Sequence, residues 1–354
     1  MVKRITKEDG TRAATMRDIA ELVGVSQATV SYVLNAKKSA RVSLLTRQRI
    51  IEAARRLEYR PNAIARAMSM GRSRTIGVYQ PHIAHWPLAG QWTMSVLQGI
   101  REGLHAHHHH LLLFGYRQTD DPGPRAFMDG RVDGLIILAP HLGDELPRRL
   151  AALGFPVAIV GAPGVPGLRS VAVDSDNVEG GRVAVRELAA RGCRRIAHIS
   201  GPANVPNARD RLLGYRQALA ELGMPYREEL VRGGTFREDL GRTAALELLA
   251  LKPRPDALFA ANDLVALGAL QACAEAGVRV PEDVAVLGYD DSPVCDLVRP
   301  RLSSIAQPAA RMGREAAEML LSLLEEDLAG GAQRLFPPTF VERESTGVRA
   351  VASG

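Results

Sequence analysis

The sequence predicts a small all-α helix-turn-helix headpiece, a short hinge, and a larger α/β body of two lobes whose parallel sheets are flanked by helices. Three observations predict it. Residues 15–35 carry two short amphipathic segments on either side of one glycine. Positive charge is concentrated at the start: residues 1–75 hold 16 Lys and Arg against 6 Asp and Glu, within a chain total of 45 against 39. From Thr75 onward, short apolar runs alternate with helical stretches, the pattern of parallel sheets covered on both faces. With 354 residues, 46% of them hydrophobic, the chain has room for two or three domains and an ample core.

Residues 1–14 read as a flexible basic arm. Their basic start lacks the apolar run of a secretory signal. Thr15 can cap a first helix whose apolar positions are Ile19, Leu22 and Val23. Ala20 is small enough to let a second helix cross close by, and Gly24 suits the tight turn between them. Ser26 can cap that second helix, with Val30, Val33 and Leu34 turned inward and Gln27, Ala28, Ser31 and Tyr32 turned out. Two helices crossing in this way present the second to the DNA major groove, and the excess of positive charge agrees with a nucleic-acid partner. The headpiece is expected over residues 15–60. Residues 61–74 form the hinge, in which Pro61 can start a short helix and Gly71 end it. A helix this short is marginal alone in water, so it is expected to fold against a dimer mate and DNA.

In the body, strands are expected at Ile76–Tyr79, Leu111–Phe114, Gly134–Leu138, Val157–Val160, Val171–Val173, Ile196–Ile199, Ala257–Ala260 and Val284–Leu287. Helices are expected near 92–106, 177–191, 209–222, 240–251, 263–276 and 308–326. Two sheets fit this length. Lobe 1 takes about 75–174 plus about 305–330, and lobe 2 about 176–303, with the chain crossing back near 290–306. The default ligand site is the cleft between them, at the carboxyl ends of the strands.

The run Val25-Ser26-Gln27-Ala28-Thr29-Val30-Ser31-Tyr32-Val33-Leu34-Asn35, followed by Val42-Ser43, Thr46-Arg47 and Leu57-Glu58-Tyr59-Arg60-Pro61-Asn62, resembles the headpiece of the lactose-repressor (LacI) family. Arg211-Leu212-Leu213-Gly214-Tyr215, Ala261-Asn262-Asp263, Val280 through Asp291 and Arg343-Glu344-Ser345-Thr346 extend the resemblance to that family's effector-binding core, which is similar to periplasmic sugar-binding proteins. The resemblance implies a DNA-binding regulator that reads a near-palindromic operator as a homodimer and responds to a small molecule.

It also assigns roles. Gln27, Ala28 and Tyr32 would read base edges: Gln can bond adenine in a bidentate way and Ala can touch a thymine methyl. Thr15, Ser26, Thr29, Ser31, Asn35, Ser43 and Thr46 offer groups for phosphates, which position without specifying; several also suit helix caps. In the hinge, Asn62, Ala65 and Met68 would face the minor groove. Met68 stands where the family carries a leucine wedge, and its alternative is packing in the dimer. Arg211, Asn262 and Asp290 would hold the effector. Their donors and acceptors suit a sugar or related polyol, while interlobe ion pairing and N-capping are the competing uses. The loop after Ile76-Gly77-Val78 departs from the family and holds both Trp residues, Trp86 and Trp92. Trp92 is placed to stack on a ligand ring or to pack in the core.

Other classes fit less well. The chain has no Gly-x-x-x-x-Gly-Lys-Ser/Thr loop and no Gly-x-Ser-x-Gly elbow, and Gly161, Gly164 and Gly167 have the wrong spacing for a dinucleotide loop, so no enzyme and no cofactor are expected. Cys193, Cys273 and Cys295 are widely spaced, which suggests a reducing cytoplasm rather than a disulfide framework or a zinc cluster. His105 and His107–His110 read as a solvated helix-to-strand junction rather than a metal site. No apolar run reaches membrane-spanning length. A ligand-modulated activator and a repressor needing a nucleoside or purine corepressor remain alternatives.

Overall fold

The computed structural model describes residues 14–34, 42–60, 71–82, 90–115, 122–234, 236–326 and 330–347. The chain divides into two compact units, Met1–Ser73 and Arg74–Gly354. Asn35, Asn62, Ala65, Met68 and Trp86 lie outside the described residues, as do the arm over 1–13 and the hinge over 61–70.

The first unit contains α1 (Met16–Val23), α2 (Gln27–Leu34) and α3 (Leu44–Arg56). Thr15 and Asp18 form a capping box at the start of α1: the Asp18 amide donates to the Thr15 hydroxyl, and the Asp18 carboxylate accepts from the Thr15 amide at 2.7 Å. Gly24 ends α1 at φ +75°, a left-handed conformation that costs other residues more. Ile19, Ala20, Val23, Val30, Val33, Ile50, Ala53 and Ala54 close a core of their own. Leu34 is only half-buried, packed against the edge of that core.

The second unit holds two six-stranded sheets. The first is built from β1 (Thr75–Tyr79), β2 (His110–Phe114), β3 (Gly134–Leu138), β4 (Val157–Val160), β5 (Ser170–Ser175) and β11 (Gln333–Phe336), in the order β11-β5-β4-β3-β1-β2. The second is built from β6 (Ile196–Ser200), β7 (Val231–Gly233), β8 (Ala257–Ala260), β9 (Ala285–Asp290), β10 (Ser303–Ala306) and β12 (Thr339–Val341), in the order β12-β10-β9-β8-β6-β7. Every pairing is parallel except β10 with β12. Strands β3, β4 and β8 are buried along their whole length, which explains their unbroken apolar sequences.

On the first sheet lie α4 (Gln91–Ala106), α5 (Leu146–Ala152) and α11 (Ala309–Leu324). On the second lie α6 (Asn177–Ala190), α7 (Pro206–Glu221), α8 (Glu238–Leu249) and α9 (Asp263–Glu275), with the short α10 (Val294–Leu297) after β9. Helices α4 and α11 approach closely through Gly99 and Gly313, where an added Cβ would run into the backbone of Ala310 and Val96 respectively.

Several boundaries differ from the sequence expectation. β10 pairs with β9, so residues 303–306 belong to lobe 2, and the chain re-enters lobe 1 only at α11. The structure adds a third crossing, between β11 in the first sheet and β12 in the second. The edge strand β11, reading Gln333-Arg334-Leu335-Phe336, and the interior strand β10, reading Ser303-Ser304-Ile305-Ala306, are short and partly polar, so they carry little of the apolar signal that marks a central strand. β9 runs on to Asp290 rather than stopping at Leu287, which puts Asp290 at the strand's carboxyl end. Helix α5 was also missed.

Candidate functional site

Within the headpiece, the residues singled out as base-reading share one surface. Gln27 and Ala28 are exposed, and Tyr32 keeps 43% of its surface free one turn later. The hydroxyl pairs repeat one device at two helix starts. Ser26 Oγ accepts from the Thr29 amide at 3.1 Å and lies 2.9 Å from the Thr29 hydroxyl. Ser43 and Thr46 do the same at α3, with the same distances of 3.1 and 2.9 Å. Each pair stands beside the free N–H groups of a helix N-terminus, a geometry that favours anions such as phosphate. Ser31 is half-buried on α2.

In the body, the sheet order fixes where a cavity forms. β1 separates β2 from β3 in the first sheet, and β6 separates β7 from β8 in the second, so each sheet has a point where successive connections leave in opposite directions. The loops after those strands converge on a cleft with about 740 Å³ of empty space. Gln80 after β1, Trp92 on α4 and Ala139 after β3 line it from lobe 1. Asn207 and Arg211 on α7, Phe236 and Asn262 line it from lobe 2, with Asp290 and Gln307 at its base. Ala139 and Asp290 adopt φ of +45° and +109°, so two non-glycine residues of this wall hold strained backbone.

Arg211 is buried and heavily committed. Its Nε donates to Asn177 Oδ1 at 3.0 Å, its Nη1 donates to the Ala261 carbonyl, and its guanidinium lies 3.6 Å from the Tyr289 ring centre. The Asp290 carboxylate is 3.9 Å from Nη2 and accepts from Gln307. Burial pushes the Asp290 carboxyl above the usual range, and the Arg211 charge pulls it back. Asp174, at the end of β5, is pushed up to about 7 by burial, against the Ser175 amide and Arg211, which favour its ionised form. Asn262 caps α9 by accepting from the Val265 amide at 2.8 Å, while its amide nitrogen leans 3.4 Å toward the Phe236 carbonyl. Trp92 packs against the lobe 1 core and against Gly161, the second of its two expected uses, and it also lines the cavity. Its Nε1, like Gln307 Oε1, is buried with no hydrogen-bond partner among the described residues.

Trp92, Arg211, Asn262 and Asp290 therefore meet in one cavity. Sequence reasoning missed Gln80, Asn207, Phe236 and Gln307. Phe236 follows the three-residue β7 and Gln307 follows β10, strands with no clear signature, so no sequence position could be tied to the cleft. The His105–His110 run sits, as expected, at the junction from α4 to β2, mostly exposed. Among the described residues no cluster of side chains suits a metal ion, and no helix is long and apolar enough to cross a membrane.

A helix-turn-helix headpiece joined to a two-lobed, periplasmic-binding-protein-like body defines a DNA-binding transcriptional regulator. Residues 15–62 match the model of the bacterial regulatory proteins of the lacI family, and residues 185–346 match the periplasmic binding protein-like domain. The transcriptional regulator CelR of Thermobifida fusca is 37% identical over 337 residues, covering 94% of this chain and 98% of the relative. The structure of a CelR–cellobiose complex superposes with a TM-score of 0.72 at 36% identity, covering 94% of this chain and 99% of the other. The lac repressor dimer bound to operator and the anti-inducer ONPF superposes at 0.81 with 27% identity, covering 95% and 99%. The chain belongs to the LacI family, whose members are regulators of transcription and not enzymes.

Proposed function

We propose that this protein is a cytoplasmic repressor that binds a near-palindromic operator as a homodimer and is switched by a sugar held in the interlobe cavity. The cavity lining carries the reading. Trp92 and Phe236 reach it from opposite lobes and offer aromatic faces for the C–H side of a pyranose ring. Asp290, Asn207, Asn262, Arg211 and Gln307 surround that space with donors and acceptors for hydroxyls, and the two unpartnered atoms, Trp92 Nε1 and Gln307 Oε1, are one of each kind. The similarity to a cellobiose-bound regulator supports a carbohydrate of one or two rings.

On the DNA side, Gln27, Ala28 and Tyr32 read bases. Thr15, Ser26, Thr29, Ser31, Asn35, Ser43 and Thr46 hold phosphates, and Asn62, Ala65 and Met68 occupy the minor groove. Sugar binding changes the angle of the lobes and thereby the stability of the hinge helices on DNA.

The test is selection of bound duplexes from random DNA by the purified protein, repeated with a panel of mono- and disaccharides and, separately, nucleosides and purines. A palindrome whose enrichment collapses with one sugar supports the reading. Enrichment that appears only with a purine or nucleoside would replace it with a corepressor mechanism. No palindrome under any condition would overturn it.

A further inference from the structure

The rim of the cleft carries a second cluster, away from the cavity wall described above. His82 follows β1, and His141 and Asp144 follow β3. The two imidazoles are stacked, with ring centres 3.5 Å apart and planes within 5° of parallel. The Asp144 carboxylate lies 2.7 Å from His82 Nε2 and accepts from the His141 amide at 2.8 Å. Lobe 2 joins through Asn204, in the loop between β6 and α7. Its side-chain nitrogen is 3.0 Å from His141 Nδ1, and its carbonyl accepts from the Leu142 amide at 2.8 Å. Two hydrogen bonds thus span the mouth of the cleft at one residue.

We propose that His82, His141, Asp144 and Asn204 form a proton-sensitive clasp, which holds the lobes together while His141 is neutral and releases them when His141 is protonated. In the observed arrangement Asn204 donates to His141 Nδ1, which requires a lone pair on that nitrogen. Protonation removes the acceptor. It also sets a cation against the face of His82, whose Nε2 lies 2.7 Å from the Asp144 carboxylate. Glu145, just before α5, and Arg149 of α5 line the same side as Asp144, and Glu145 pairs with Arg148 at 3.5 Å; lobe 2 contributes only the uncharged Asn204 to the described contacts. Burial, then the neighbouring His82, lower the His141 pKa below the ordinary histidine value, while Asp144 raises it. The clasp is therefore closed at neutral pH and opens in acid. It concerns lobe closure itself and holds whichever effector fills the cavity.

Spin-label distances in the full-length protein test this. Engineered cysteines replace the exposed Leu153 in lobe 1 and Ala220 in lobe 2, and the three native cysteines are buried. Labelled protein is mixed with excess unlabelled protein, and distances are compared at about pH 8 and about pH 5, on either side of the histidine range. The wild-type distribution is expected to be short at the higher pH and to shift to longer separations at the lower. Asn204→Ala, at an exposed site that tolerates truncation, loses the bond to His141 and keeps the backbone bond to Leu142; the side-chain bond is the one that holds the lobes, so this variant is expected to show the long population at both. His141→Gln keeps an acceptor for Asn204 without a titrating ring and is expected to stay short at both. A wild-type distribution that ignores pH, an Asn204→Ala protein that stays short, or a His141→Gln protein that still opens in acid would each overturn the clasp.

Discussion

At the scale of single residues, the role proposed for Gln27 is to read a base edge rather than to position the headpiece. Gln27 is exposed and makes no structural contribution to the headpiece core, so Gln27→Ala should leave folding intact. It should cost about 1–3 kcal/mol on the specific operator and little on random duplex; competition binding at fixed salt measures both, and equal losses would remove its reading role. In the cavity such roles are less distinct. Asn262 is occupied by its helix cap, and Arg211 is held by Asn177 and Ala261. Among the described residues, the Asp290 carboxylate has Gln307 and a loose contact with Arg211 as its partners. Asp290→Ala should abolish the response to effector while sparing operator binding without it. An operator assay with and without the sugar identified by selection checks this, and a retained response would take Asp290 out of the site.

At the scale of elements, short helices depend on their ends. Helix α1 has only eight residues, so a large share of its backbone groups lies in the first and last turns. Thr15→Ala breaks the capping box and should cost the headpiece about 1 kcal/mol. Calorimetry should place that loss in the headpiece transition and leave the body's unchanged. The body's helices are joined differently. Gly99 and Gly313 let α4 and α11 meet backbone to backbone, so Gly313→Val should push the pair apart and lower the melting temperature of the body, read from its thermal transition. An unchanged transition would mean the two helices can part without loss.

At the scale of the whole molecule, the lobes are tied where buried charge accumulates. Asp174 closes β5 just before the chain first leaves lobe 1, and the Asn207 side-chain nitrogen of lobe 2, in the orientation that satisfies both its amide atoms, donates to it at 3.0 Å and to the Gly161 carbonyl at 2.9 Å. Its folded pKa is raised to about 7 from an ordinary value of 3.8. The neutral acid is thus the form the fold favours: its stabilising contribution is full below about pH 4 and is lost as pH rises through about 7. Asp174→Asn removes this dependence. Relative to wild type, the variant should gain stability between about pH 4 and about pH 7 and level off above that in denaturant melts, and a gap that stays constant with pH would show that ionising Asp174 carries no penalty.

The headpiece was legible because its information is local. Thr15, Gly24 and Ser26 mark helix ends within a few residues of the apolar positions they serve, and the long motif from Val25 to Leu34 names its family. The central strands were legible for the same reason, since a strand buried on both faces is a continuous apolar run. The resemblance to the family's effector-binding core singled out Arg211, Asn262 and Asp290, and one unusual loop singled out Trp92. The tertiary structure decided which residues share a space. Phe236, Asn207 and Gln307 reach the cavity from weakly marked or distant segments, and His82, His141 and Asn204 meet only because two loops of one lobe close on a third from the other. Such meetings depend on the order of strands in two sheets and on three crossings between them, and pairings between residues far apart in the chain leave no periodic trace in it.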